Sequence, residues 1–123
     1  MKLHTTNTAG LNLFTAYGDD YVTVNQEKHQ KNVIVLPDSV VPAWTEAKLE
    51  SLCETDMQLL LGIGTEIVLL GTGKHLRFPP GRLLAPFAPA GIGLEIMDLR
   101  AACRTYNILA AEGRNVAAAL IFD

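Results

Sequence analysis

The stretch EIVLLGTGKHLRFP, residues 66–79, decides the fold, because it joins an unbroken apolar run to a glycine turn and then to two cations. Ile67 to Leu70 show no alternation with polar residues, which is the pattern of a strand covered on both faces in a parallel or mixed sheet. The pattern returns as LEIM at 94–97 and as VAAALIF at 116–122. Together the three runs predict the strands of an α/β sheet in the back half of the chain. Ala117 to Ala119 are poor strand formers, so the third run is the weakest by propensity.

Between the second and third runs, Leu99, Ala102, Cys103, Tyr106, Leu109 and Ala110 recur at helical spacing. Asp98 is placed to cap that helix and Gly113 to close it. Between the first and second runs, Pro80, Pro86 and Pro89 allow only short helical turns in the connection from Pro79 to Ala90. GIGTEI at 62–67 and GIGLEI at 91–96 are near copies, each leading from a helical segment into a strand, so the same turn is expected in both. Two copies do not make a repeat architecture.

The front of the chain reads differently. LNLFTAY at 11–17 and YVTVN at 21–25, with Gly18-Asp19-Asp20 between them, predict an antiparallel hairpin. VIVL at 33–36 predicts a further strand, stopped by Pro37. WTEAKLESLC at 44–53 has good helix formers but apolar spacing that suits neither period, so its structure stays open. Thr55 with Gln58 makes a capping-box pattern, and a short helix is expected from there to Gly62.

A chain of 123 residues suits one domain, 1–123, and is too short for two of ordinary size. Its 49% apolar and 19% charged residues lie in the globular range, and no tract reads as a linker. Net charge is −3 and the ten Lys and Arg residues are scattered, which excludes a basic stripe for nucleic acid. The opening MKLHTTNTAG has no apolar signal core, and VAAALIF is too short to span a bilayer, so a soluble, cytoplasmic protein without a membrane span is expected. Cys53 and Cys103 form no CxxC pair, and His4, His29 and His75 lie far from them and from one another. No metal site and no cofactor are expected.

The glycine turn invites a phosphate reading that the spacing does not support. A P-loop needs glycine five positions before Gly73-Lys74 and Ser or Thr after it; Val68 and His75 stand there. The dinucleotide fingerprint needs a third glycine where Leu76 stands, and Phe78-Pro79-Pro80 precludes the helix that should follow. The GIG segments fail likewise at Ile67 and Ile96. Gly71 and Gly73 are then expected to serve a tight turn with positive φ or a close backbone approach.

Hydrolase arrangements have no support either. Ser39 and Ser51 are the only serines, and there is no GxSxG. Cys103, beside Arg104 and near a helix start, has two readings: an activated nucleophile, or a small core residue on the apolar face with Leu99 and Tyr106. The spacing favours the core. Glu66, Tyr106 and Asn107 are expected to satisfy internal hydrogen bonds, and Trp44 to anchor a core or interface.

LLGTGKHLRFPP, LLAPFAPAGIGLEIMD and AACRTYNILAAEGRNVAAAL resemble the signature blocks of a small family of uncharacterised domains. That family includes a mitochondrial respiratory complex I assembly factor and a human adipogenesis-associated protein. The resemblance runs from about Val33 onward, is specific from Glu66 to Leu120, and draws little on the first 30 residues. It implies three layers around a mixed, partly parallel central sheet, with an additional antiparallel β layer from the N-terminal third.

Two functions are compatible with these readings. One is a protein-binding or assembly-factor-like module, with homo-oligomerisation open. The other is a small-molecule or anion-binding enzyme with its site at the C-terminal edge of the parallel strands. The candidate edge is the same for both: Gly71, Thr72, Gly73 and Arg77 on one loop, and Asp98, Arg100 and Arg104 at the following helix start. Asp98 as a simple cap, with the arginines solvated or paired to Asp98 and Glu112, is the alternative reading.

Overall fold

The computed structural model describes residues 10–123. Residues 1–9 of the opening segment read above for a secretory signal, His4 among them, lie outside the described residues. Among the described residues the order is β1 (Phe14–Tyr17), β2 (Val22–Val24), β3 (Glu27–His29), β4 (Val33–Leu36), β5 (Ser39–Pro42), α1 (Glu54–Leu61), β6 (Ile67–Gly71), α2 (Gly81–Leu84), β7 (Gly93–Met97), α3 (Leu99–Ala111) and β8 (Val116–Leu120).

β5, β4, β8, β6 and β7 lie side by side in that order. β6 runs parallel to both its neighbours, while β4 is antiparallel to β8 and β5, so the sheet is mixed. β1, β2 and β3 form a separate antiparallel sheet. Alternation along the central strands feeds two cores. Val33, Val35, Leu69, Val116, Ala118 and Leu120 face α3 and the small sheet. Ile34, Val68, Leu70, Ala117, Ala119 and Ile121 face α1, α2 and the 44–52 segment. This is the three-layer α/β arrangement with its extra β layer.

β8 shows why low propensity did not prevent a strand. It is paired on both sides and covered on both faces, with all five residues buried, so small alanines let both layers close on it. β7 departs from its reading as a strand covered on both faces. It is the sheet's edge, with Gly93 and Glu95 exposed and Leu94, Ile96 and Met97 half-buried.

The small sheet is attached through α3. The rings of Phe14 and Tyr106 meet edge to face, 5.2 Å apart at 78°. Tyr106 Oη donates to the Asn12 carbonyl at 2.8 Å, and Asn107 exchanges two bonds of 2.8 Å with the Phe14 N–H and C=O. Glu66, expected among the internally bonded groups, is exposed instead.

Other differences have local causes. α1 is capped at Cys53, two residues before Thr55, because the Asp56 carboxylate reaches back to the Cys53 N–H at 3.0 Å; the helix does end at Gly62. The two GIG segments are not the same turn. Gly62 closes α1 with negative φ and Gly64 takes φ 91, whereas Gly91 takes φ 76 and Gly93 already belongs to β7. Residues 44–53 form neither helix nor strand apart from a 3₁₀ turn at Leu49–Ser51, with Leu49 and Leu52 buried and Trp44 Nε1 bonded to the Leu120 carbonyl at 3.1 Å. β3 and β5 each follow a two-residue turn, Asn25-Gln26 with φ 47 and 80, and Pro37-Asp38.

Candidate functional site

β6 and β7 are parallel neighbours, so the loops that follow them leave the sheet at one edge. Gly71 closes β6 where α3 crosses it. A Cβ there would lie 2.7 Å from Leu120 Cδ2, 3.2 Å from Ala102 Cβ and 3.5 Å from Leu99 Cα, so its role is close approach of helix to strand. Thr72, fully buried, ties the two loops together. Its N–H donates to the Met97 carbonyl at 2.8 Å, and its Oγ1 lies 2.7 Å from the His75 carbonyl and accepts from the Arg77 N–H at 3.2 Å. Gly73 takes φ 89 and its carbonyl accepts from the Leu99 N–H at 2.8 Å. Both glycines therefore have a structural use in the turn and in the helix contact.

Asp98 caps α3, its Oδ1 accepting from the Ala101 N–H at 2.9 Å. Arg77 and Arg100 have other partners than Asp98 and Glu112. Arg100 reaches Asp19 at 3.4 Å and lies 5.9 Å over the Tyr17 ring, while Lys74 approaches the same Asp19 at 3.8 Å. Arg104 is exposed one turn further along α3. Arg77 is half-buried and held by Glu50 and Asp123, with Nη2 also donating to the Thr72 carbonyl at 3.2 Å. Asp123 Oδ2 also accepts from the Lys74 N–H at 2.9 Å.

The edge is thus divided in two. Gly73, Lys74, Leu99 and Arg100 meet the hairpin turn at Gly18 and Asp19, leaving about 10 Å³, room for one water at most. Arg77 opens instead onto a crevice of about 310 Å³ that it shares with Lys48, Glu50, His75 and Asp123. Two carboxylates already neutralise its guanidinium there. A further crevice of about 270 Å³ lies around Asn32 and Phe122 and shares Lys48 with the Arg77 crevice. Asn32 is structural: its amide donates to the Thr45 and Ala47 carbonyls at 3.0 and 2.9 Å and accepts from the Phe122 N–H at 2.8 Å.

Cys103 is fully buried, and burial pushes its thiol up to about 12 against the lowering pull of Arg104 and Arg100. It stays a thiol at neutral pH and belongs to the core. Burial, with Asp38 adding to it, likewise raises the Tyr106 phenol above its ordinary range. Among the described residues no three His, Cys, Asp or Glu side chains gather as a metal set.

Sequence reasoning did not find Glu50, Asp19 and Asp123 as partners of these cations, since they arrive from distant segments. Nor did it single out Leu76 and Phe78, 52% and 66% exposed on either side of Arg77. Their signal was present: two large apolar residues alternating with charge ahead of a Pro-Pro pair that blocks both helix and ladder.

The fold and its edge define a class of small α/β domain with a mixed sheet, a strand-end loop free of nucleotide motifs and an appended β layer. The chain belongs to the family described as protein of unknown function (DUF498/DUF598), which matches residues 14–121. That match starts in β1, so the family pattern reaches further forward than Val33, where the resemblance in the sequence begins. The chain is 36% identical over 73 residues to the 13 kDa major membrane protein of Francisella tularensis subsp. holarctica, covering 59% of each. It is 37% identical over 89 residues to NADH dehydrogenase (ubiquinone) 1 alpha subcomplex assembly factor 3 of Homo sapiens, covering 71% of this chain and 48% of that protein. The matched part is therefore about half to three-fifths of these relatives' length. The crystal structure of a Bordetella parapertussis protein superposes with a TM-score of 0.85 at 37% identity, covering 93% of this chain and 98% of that one. Among the described residues no helix is long and apolar enough to cross a membrane.

Proposed function

We infer that this chain is a protein-binding, assembly-type module whose contact surface is the C-terminal edge of the parallel strands. The observation that carries this reading is the exposure of Leu76 and Phe78 on a loop braced from beneath by Thr72 and Arg77. Burying one large apolar side chain against a partner yields about 1.5–3 kcal/mol. A braced loop loses little conformational freedom on binding, so more of that gain appears as affinity. The assembly role in the name of the human relative supports the same class of function. Anion binding has less support, because the Arg77 guanidinium is already engaged by Glu50 and Asp123. A cytoplasmic location fits two cysteines that are both free thiols.

The test places a photo-crosslinking amino acid at position 78 in the full chain, with position 112, exposed at the far end of α3, as the control. A discrete adduct from position 78 alone, lost on Leu76→Ser, is expected. Equal or absent crosslinking at both positions, in protein that is folded by circular dichroism, would remove this edge as the contact surface.

A further inference from the structure

Open sheets end in strands whose outer backbone groups lack partners, and proteins blunt such edges with charge, proline, bulges or covering groups. Four edges occur among the described strands, and three are blunted. β5 ends at Pro42, followed by Ala43 at φ 52. β3 is three residues long, with Glu27 and Lys28 exposed. β1 has an irregular register between Phe14 and Ala16, and Asn107 occupies both backbone groups of Phe14. β7 is the least protected: five residues in unbroken register with β6, no proline, and a single charge, Glu95.

The pairing also tells which groups face out. The Gly93 N–H donates to the Glu66 carbonyl at 2.8 Å, and the Met97 carbonyl accepts from the Thr72 N–H at 2.8 Å. Odd-numbered positions of β7 therefore turn their backbone toward β6. Alternation then points the N–H and C=O of Leu94 and Ile96 away from the sheet. Their side chains are half-buried against the core beneath α1 and α2, and Glu95 is exposed on the opposite face.

We propose that β7 accepts an added strand: an extended segment of a different polypeptide that sets a basic residue opposite Glu95, between two apolar residues lying beside Leu94 and Ile96. This rests on the protein-binding reading above and gives the partner its chemistry. Charge argues against a second copy. Antiparallel pairing of two β7 strands centred on position 95 would set two glutamates face to face.

Amide hydrogen exchange of the full chain, followed residue by residue by NMR, tests this. The probe is the peptide acetyl-Thr-Val-Thr-Val-Lys-Val-Thr-amide, compared with the same peptide carrying Glu in place of Lys. In the free protein the Gly93, Glu95 and Met97 amides should exchange slowly and those of Leu94 and Ile96 fast. The Lys peptide at about 1 mM should slow Leu94 and Ile96 by about tenfold, and the Glu peptide should bind about threefold more weakly. Ile96→Pro removes an outward N–H and leaves the ladder to β6, so it should fold and lose the effect. Glu95→Lys should reverse the peptide preference, which keeps the test decisive if Ile96→Pro fails to fold. Absence of slowing with the Lys peptide, or slowing indifferent to both substitutions, overturns the proposal. So does protection of Leu94 and Ile96 that grows with protein concentration alone, because the edge would then be a contact between copies. Crosslinking from position 78 reports separately on the protein-binding reading, so the two failures are distinguishable.

Discussion

Gly71→Ala isolates the contact that sets α3 against β6. The added methyl would sit 2.7 Å from Leu120 Cδ2 and 3.2 Å from Ala102 Cβ, with Leu99 Cα at 3.5 Å. Leu120 is fully buried, so its Cδ2 can give way only within the core, and Ala102 moves only if α3 moves. Overpacking of this kind costs about 1–3 kcal/mol. Gly71 has no left-handed φ, so alanine is not strained there and gains about 0.4–1 kcal/mol from the less flexible unfolded chain. The net expectation is a loss of about 1–2 kcal/mol. At roughly 2.1 cal/mol/K of unfolding entropy per residue, a chain of 123 residues shifts by about 4 °C per kcal/mol, so Tm should fall by about 4–8 °C. Gly81→Ala is the control, since nothing lies within 4 Å of the place its methyl would take and its φ is ordinary; it should raise Tm by a few degrees, on the order of 0.4–1 kcal/mol. Differential scanning calorimetry of the two variants gives the signs. Equal or higher stability for Gly71→Ala would refute the close-approach reading of the Gly-Thr-Gly turn.

Three further outcomes are expected. In the native protein a thiol reagent should label the exposed Cys53 and leave Cys103 untouched until unfolding; and because the Cys103 thiol is raised from 9.0 to about 12, the unfolded chain sheds a proton above pH 9 that the folded one keeps, so stability should fall as pH climbs from 9 toward 12, less steeply in Cys103→Ala, by urea titration. Arg77→Ala should cost about 1 kcal/mol, with less loss in 1 M salt than in dilute buffer, by thermal melts, because it leaves Glu50 and Asp123 without their shared cation at a half-exposed site. Gln26→Gly should stabilise the chain by about 1 kcal/mol, measured by chemical denaturation, since Gln26 holds φ 80 in a two-residue hairpin turn that glycine adopts without strain.

Local chemistry alone was enough to read much of this molecule. Apolar runs with little alternation located β6, β7 and β8, the Asp98 cap and helical spacing located α3, and the glycines flanking Thr72 were legible as structural because both nucleotide motifs failed at named positions. Such features depend on neighbours within a few residues, where backbone sterics and side-chain periodicity act. β3 escaped because Asn25-Gln26 reaches positive φ without the usual glycine, and β5 because its hairpin turn at Pro37-Asp38 was read only as a stop.

Tertiary structure decided what the edge became. Arg77 meets Glu50 from 27 residues before it and Asp123 from 46 residues after, and Arg100 meets Asp19 across 81 residues. Spacing carries no trace of such pairs, because they form only when the small sheet and the C-terminus fold over the ends of β6 and β7. The same holds for β7. Its apolar run is the pattern of a strand covered on both faces, yet its place at the end of the strand order leaves Leu94 and Ile96 with outward backbone groups. A strand's sequence specifies its pleat; its neighbours, chosen by the packing of the whole chain, determine whether its edge is filled or open.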